Sequence, residues 1–255
     1  MKKQTLFFIF MCIFLCSGAL TVVADEVSSN IETKIIDDFD SSTTLNGKDR
    51  EWFWYLRGSK FAIEDTLECK LVPAYPDTLY TKKQAEGKDL HVLGIKGGFE
   101  RKGYNYLEII PVKKDEEGKI KSYPIPLPGM VKQVAMWVWS GNFNYYIEVF
   151  VEDENGVNHR LYLGDMNFEG WKSLIVNVPS AIPQSRRSII KNKALLLTKI
   201  VIWTRPQERV NDFSAYFDQL KVNTDTFITK FDGDELADPE EVNRLWTEGQ
   251  DIQPK

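Results

Sequence analysis

The sequence predicts an all-β protein, a two-sheet sandwich or jelly roll, on three observations. Apolar and polar residues alternate with a period of two from about Asp89 to Val222. No amphipathic stretch of helical length interrupts that region. Turn residues divide the chain into about ten short strands, the pattern of stacked antiparallel sheets and not of a parallel α/β sheet.

In chain order, strands are expected at Lys34–Phe39, Trp52–Leu56, Lys60–Ile63, Leu90–Ile95, Tyr106–Val112 and Val131–Trp139, then at Leu174–Val178, Leu197–Trp203 and Tyr216–Val222. Between these groups, Tyr145 to Gly164 reads as a hairpin. Tyr145, Ile147, Val149 and Val151 share one face, and Glu148 and Glu152 the other. Asp153-Glu154-Asn155-Gly156 supplies an Asn-Gly turn, after which Leu161 and Leu163 resume the inward phase. Three long inter-strand loops break the pattern. Pro73 to Lys88 is polar. Lys113 to Pro128 carries a charge run and then Tyr-Pro-Ile-Pro-Leu-Pro, extended because each proline biases the residue before it away from helix. Ser180 to Lys193 holds Arg186, Arg187, Lys191 and Lys193 with no acid among them.

The two ends read differently. Lys2 and Lys3 precede an unbroken apolar run from Leu6 to Cys16, about half of what a membrane-spanning helix needs, and Val22-Val23-Ala24 offers a cleavage site. Residues 1–24 are expected to be a cleaved signal peptide, followed by a sandwich domain over 25–230 and an acidic tail over 231–255. Met11 and Leu15 stand before Cys12 and Cys16, where a lipoprotein signal has small residues, so no lipid anchor is expected. Within the tail, Asp238-Pro239-Glu240-Glu241 starts a short helix, with Asp at the N-cap and Pro at the first helical position. Val242, Leu245 and Trp246 then share one face. A helix of about two turns is marginal alone in water. It needs a surface, either its own sandwich or a groove on a neighbouring subunit.

Composition narrows the function. The 255 residues carry 32 Lys and Arg against 37 Asp and Glu, a formal charge of −5 that becomes −7 once the leader's two lysines are gone. An acidic chain is a poor partner for phosphate-rich surfaces, which argues against nucleic acid and anionic membrane. With Cys12 and Cys16 in the leader, Cys69 stands alone and closes no intrachain disulfide, so the core must hold the protein together. Neither Gly-x-Ser-x-Gly, His-Glu-x-x-His, a Walker loop nor Cys-x-x-Cys occurs. His91 falls in a strand and His159 after the hairpin turn, at an exposed position. Gly94-Ile-Lys-Gly97-Gly98 lacks the strand-to-helix context of a phosphate loop. Nothing selects a glycosidase pair among the acids. The expectation is a protein that is not an enzyme.

Two constellations carry candidate chemistry. Asp218 sits within the apolar phase Tyr216, Leu220, Val222, where a carboxylate is costly unless paired, hydrogen-bonded or bound to a cation. Asp37, Asp38 and Asp40 near the start of the sandwich offer further oxygens, because first and last strands of sandwiches often run side by side. Asp218 with Asp38 would suit a structural calcium; the competing reading has Asp218 at a strand end, accepting backbone N–H groups. Trp137 and Trp139 share one face of a strand whose other face, Val134, Met136 and Val138, lines the core. The two indoles form a stacking platform for sugars or a partner protein, or are covered by a loop or the tail helix.

Read in order, Leu93-Gly-Ile-Lys-Gly-Gly-Phe-Glu-Arg-Lys-Gly-Tyr-Asn105, Pro124-Ile-Pro-Leu-Pro-Gly-Met-Val131, Asn142 to Tyr146 into Leu161-Tyr-Leu-Gly-Asp-Met-Asn-Phe-Glu-Gly-Trp-Lys172, and Tyr216-Phe-Asp-Gln-Leu220 resemble the spirochaete flagellar filament outer layer (sheath) protein family, FlaA. The likeness spans roughly Ile36 to Phe227. It implies a jelly roll like that of carbohydrate-binding modules, and a periplasmic, non-enzymatic protein. Such a protein coats the flagellin core together with other sheath proteins and contributes to filament shape and motility. Within that setting, the basic loop (Arg186, Arg187, Lys191, Lys193) and the acidic tail (Asp232 to Glu241) are opposite in sign, as a propagating head-to-tail contact requires. The competing class is a periplasmic glycan-binding module using Trp137 and Trp139, and a third is a jelly-roll glycosidase.

Overall fold

The computed structural model of the chain describes residues 30–45, 47–184, 194–226 and 239–248. Strands numbered in chain order form two antiparallel sheets. Sheet one holds β1 (Ile31–Asp37), β5 (Glu68–Pro73), β6 (His91–Gly97), β10 (Met130–Gly141), β13 (Glu169–Asn177) and β15 (Phe213–Asp225), in the order β13-β10-β15-β6-β5 with β1 also on β15. Sheet two is β12-β11-β14-β7-β4, from β4 (Phe53–Gly58), β7 (Tyr106–Lys114), β11 (Tyr146–Glu152), β12 (Asn158–Asp165) and β14 (Leu196–Trp203). Two short strands extend it: β8 (Ile120–Ser122) pairs with β7 and β9 (Ile125–Pro126) with β14. β2 (Thr44–Leu45) and β3 (Lys48–Asp49) make a separate small hairpin. A short helix, α1 (Lys82–Ala85), sits in the polar loop after β5, and α2 (Pro239–Glu248) lies in the tail.

The alternation in the sequence becomes the core of a jelly-roll sandwich. Val134, Met136 and Val138 of β10 and Phe217, Leu220 and Val222 of β15 are buried in one cluster with Ile147, Val149 and Val151 of β11 and Ile200 and Ile202 of β14. The predicted hairpin is β11–β12, with Gly156 at φ +80° in its turn. Asp153 closes that turn: its Oδ1 accepts from the N–H groups of Asn155 at 2.8 Å and Val157 at 3.0 Å, and its Oδ2 lies 2.7 Å from His159 Nε2. His159 is therefore half-buried, not exposed as expected.

Other departures have local causes. Lys60–Ile63 is a tight reversal and not a strand, carrying only an isolated bridge from Ala62 to Phe99. Gly58 sits so close to Ala62 that any side chain there would overlap it, and Ala62 N–H returns to the Ser59 carbonyl. β5, which the sequence did not announce, is an edge strand with Pro73 at its end, where a missing N–H costs no ladder bond. Gly129, in the Pro-Leu-Pro-Gly run, has φ +66° and packs where a Cβ would meet Thr224 Oγ1 and the Asp225 carbonyl. The same approach lets Thr224 Oγ1 donate to the Pro128 carbonyl at 2.6 Å. The leader segment 1–24 lies outside the described residues.

First and last strands do run side by side, Ile31 opposite Asp225 and Asp37 opposite Leu220. At the end of β1, Asp37 is fully buried and accepts four hydrogen bonds. Arg50 donates from both terminal nitrogens at 2.8 Å, Trp54 Nε1 at 2.8 Å and Phe39 N–H at 2.9 Å. The carboxylate thus ties β1 of sheet one to Trp54 on β4 of sheet two and to the segment after β3. Trp52 and Trp54 pack edge to face at 5.1 Å beside it, with the Arg50 guanidinium over Trp52.

Replacing Asp37 with alanine strands the buried Arg50 charge, and the expected loss is about 3 to 5 kcal/mol in urea unfolding. Asp37→Ala combined with Arg50→Met is expected to cost less than the sum of the two single changes. Burial pushes the Cys69 thiol up to about 12. The native protein is therefore expected to resist a thiol reagent at pH 8 and to react fully once unfolded in urea.

Candidate functional site

The Asp218 region depends on a bulge. Gln219 adopts a left-handed φ of +45°, and β15 carries an extra residue there against β10, Ala135 pairing with Lys221 and Trp137 with Asp218; one step on, the ladder with β1 is irregular too, with the extra residue, Ile36, on β1. The slip changes the phase: Phe217 and Leu220 point into the core, while Tyr216 and Asp218 belong to the outer face. The expectation that Asp218 continues the phase of Leu220 and Val222 is corrected accordingly. Asp218 is nonetheless 3 % exposed. The loop after β5 crosses this half of the face, bringing the Tyr80 hydroxyl 3.5 Å from Gln219 Nε2. Asp218 Oδ1 accepts from Gln219 N–H at 2.7 Å.

Burial pushes the Asp218 carboxyl up to about 7, the Gln219 N–H works against that, and Asp40, Asp38 and Asp37 add to the rise. Asp40, Asp38 and Asp37 thus lie within electrostatic reach of Asp218. Among the described residues, however, no three His, Cys, Asp or Glu side chains are placed to hold a metal ion. Asp37 is committed to Arg50 and Trp54, and Asp40 Oδ1 accepts from His91 N–H at 2.9 Å.

Trp137 and Trp139 point away from the core on the outer face of sheet one, as their phase predicts, and both are half-buried. Trp139 lies opposite Trp171 of β13 on one side and Tyr216 of β15 on the other, with ring centres 5.3 Å apart for the second pair. Trp137 lies opposite Asp218, its indole N–H buried without a partner among the described residues. A three-strand aromatic row, Trp171-Trp139-Tyr216, is the result. Of the other predicted contact residues, Arg186, Arg187, Lys191 and Lys193 and the acidic stretch up to Asp238 lie outside the described residues. The helix α2 begins at Pro239, as its capping signature indicates. Val242 and Leu245 are half-buried, whereas Trp246 is 83 % exposed, so the three do not share one cover.

A second aromatic row, on the outer face of sheet two, escaped the sequence reading. Tyr146 of β11, Trp203 of β14 and Tyr106 of β7 stand opposite one another in register. Tyr146 and Trp203 stack at 6.4 Å and 15°, Tyr106 and Trp203 are 5.1 Å apart, and Tyr162 of β12 adds a ring 5.9 Å from Tyr146. Buried links beneath the row align it: Asn105 N–H donates to Thr204 Oγ1 at 2.8 Å and Thr204 Oγ1 to the Gly103 carbonyl at 2.7 Å. At one end, Arg205 lies over Tyr146 and donates to Asn144 Oδ1 and Asp165 Oδ1. Beside the row, Glu108 receives Arg57 and Lys199. Burial works to raise its carboxyl, but these two cations bring it below the ordinary range. Each ring is the outward member of its strand, so the signal was the shared strand end, visible only once strands are aligned.

Comparison with known proteins follows the same outline. The family described as flagellar filament outer layer protein Flaa matches residues 44–232, and the chain belongs to that family. A flagellar filament outer layer-like protein of Brachyspira hyodysenteriae is 27 % identical over 149 residues, covering 58 % of this chain and 64 % of the relative. A flagellar filament outer layer protein of Borreliella burgdorferi is 27 % identical over 125 residues, covering 46 % and 36 %. The matched stretch thus spans less than two thirds of either relative. Among solved structures, a carbohydrate-binding module of the β-sandwich superfamily aligns at TM-score 0.44 and 11 % identity, covering 73 % of this chain and 60 % of that one. A family 11 carbohydrate-binding module of Clostridium thermocellum aligns at 0.41 and 12 %, covering 76 % and 95 %.

The Asp218 environment sets a pH dependence. The unfolded carboxyl releases its proton near pH 4 and the folded one at about 7. The folded chain holds the extra proton across that window, so this group's contribution falls as pH rises, by up to about 1.4 kcal/mol per pH unit. Asp218→Asn is expected to remove that slope, measured as the difference between variant and parent in urea unfolding from pH 4 to 8.

Proposed function

We propose that the chain is a periplasmic outer-layer subunit of the flagellar filament that coats the flagellin core, contributes to filament shape and motility, and performs no catalysis. The observation that carries this reading is the family match over residues 44–232, which takes in nearly the whole sandwich and not an appended segment. The expected signal peptide supplies the route of export. The surface supports the reading as well. A subunit between a core and its neighbours needs contacts on more than one side, and this sandwich carries aromatic rows on both outer faces. The Trp171-Trp139-Tyr216 row, joined on the same face by Trp137 and bordered by Gly94 of β6 opposite Tyr216, suits a face that loses its water against protein. The basic loop and acidic tail, opposite in sign on one chain, suit a heterologous contact between successive subunits.

Filaments sheared from cells are expected to retain the protein, and cells lacking it to yield thinner or reshaped filaments with impaired motility. Recovery of the protein only in the soluble periplasmic fraction, with unchanged filaments, would sink the proposal. Trp139→Ala and a chain ending at Phe231 are each expected to reduce the amount retained on filaments, read by immunoblot of the sedimented fraction.

A further inference from the structure

We infer that the outer face of sheet two is a binding site for a neutral glycan, with Tyr162, Tyr146, Trp203 and Tyr106 as the stacking platform and Arg205, Asp165 and Glu148 as the polar groups beside it. This inference does not rest on the filament reading, and it places sugar recognition on the sheet opposite Trp137 and Trp139.

Three features point to a sugar. The first is the row itself. Four rings from four strands follow one another at centroid distances of 5.9, 6.4 and 5.1 Å and interplanar angles of 35°, 15° and 59°, with Tyr162, 48 % exposed, as the open end and Tyr146, Trp203 and Tyr106 half-buried. A pyranose presents an apolar face of C–H groups that packs on such rings while its hydroxyls project sideways.

The second feature is what lies sideways. Arg205 is fixed in advance by Asn144 and Asp165 and stacks over Tyr146 at 5.2 Å, so a planar donor and a carboxylate acceptor stand at the end of the row without needing to be ordered by a ligand. Glu148, two residues after Tyr146 and opposite Tyr162 in register, is 5 % exposed, with Arg160 Nε 3.4 Å from its Oε1. Its Oε2 has no hydrogen-bond partner among the described residues. A buried carboxylate oxygen left without a donor is costly, and a sugar hydroxyl reaching it after a small side-chain shift would satisfy it.

The third feature is charge. The cations on this face, Arg57, Arg160, Lys199 and Arg205, are met by Glu108, Glu148 and Asp165. An anionic polymer finds each of these four cations already paired with a carboxylate. A flat protein partner would have to strip water from Arg57, Lys199 and Arg160 beside the rings, which is expensive for ion pairs. A neutral sugar seats its apolar face on the rings and leaves those pairs hydrated.

The test is titration of the purified chain with neutral oligosaccharides built on β-1,4-linked glucose, galactose and mannose, followed by tryptophan fluorescence and by retardation in gels containing the matching polysaccharide. At least one series is expected to bind. Tyr146→Ala and Trp203→Ala are expected to weaken that binding about tenfold or more, as is Tyr162→Ala, which removes an exposed ring and leaves the fold intact. Trp139→Ala on the other sheet is expected to bind like the parent. Absence of binding to every series overturns the inference, as does loss of binding in Trp139→Ala with Tyr162→Ala and Tyr146→Ala unaffected. Because the chain is tested free of filaments, the result stands apart from whether it coats them.

Discussion

Asp37 is where the two sheets are made to agree. Its strand belongs to sheet one, yet its carboxylate is filled by the Arg50 guanidinium and by the indole of Trp54 from sheet two. With the Phe39 N–H added, four donors surround two oxygens, and this makes a fully buried charge tolerable. Three other features follow from that anchor. Phe39 takes a left-handed φ of +60° two residues after it, with its side chain fully buried in the core. Asp38 and Asp40 are brought beside the bulge of β15, where their charges raise the proton affinity of Asp218. Arg50, drawn inward, fixes the Trp52–Trp54 pair at the floor of the sandwich. An apolar core alone would permit the sheets to slide, because hydrophobic contact has no direction. The buried ion pair supplies direction.

The sequence made the strands legible where one face is buried and the other wet. Tyr145 to Gly164 could be read residue by residue because alternation and turn chemistry agree, and because Asp153 stabilises the turn from within. Legibility failed where geometry breaks the period. One left-handed residue, Gln219, moves Asp218 to the opposite face from the one its spacing suggests. Lys60–Ile63 has strand-like composition but follows Gly58, whose contact with Ala62 forces a reversal. β5 is an edge strand with half-buried inward residues, so its alternation is faint.

For surfaces the limit is different. Trp137 and Trp139 could be paired from the sequence because they share a strand. Tyr146, Trp203 and Tyr106 lie on three strands, and their alignment is a property of sheet order and register, which no local pattern contains. The two outer faces also differ in kind. The row on sheet one continues into Trp137 and the buried Asp218 and has a loop over part of its width. The row on sheet two is bordered by ion pairs and by the Arg205 network. A protein that must be gripped from one side and remain hydrated on the other would be expected to divide its surface this way.

The pairing of β1 with β15 has a consequence for how the molecule forms. Ile31 finds its partner at Asp225, so sheet one cannot be completed until almost the whole chain is available. Most ladders next to it, including β6 with β15 and β10 with β15, also join segments far apart in sequence. A topology of this kind folds slowly, since loop-closure entropy is spent before the long-range pairs return it. β1 precedes its partner by nearly the whole sandwich, so it stays unpaired until β15 is available, and the sandwich closes only when both ends of the domain meet.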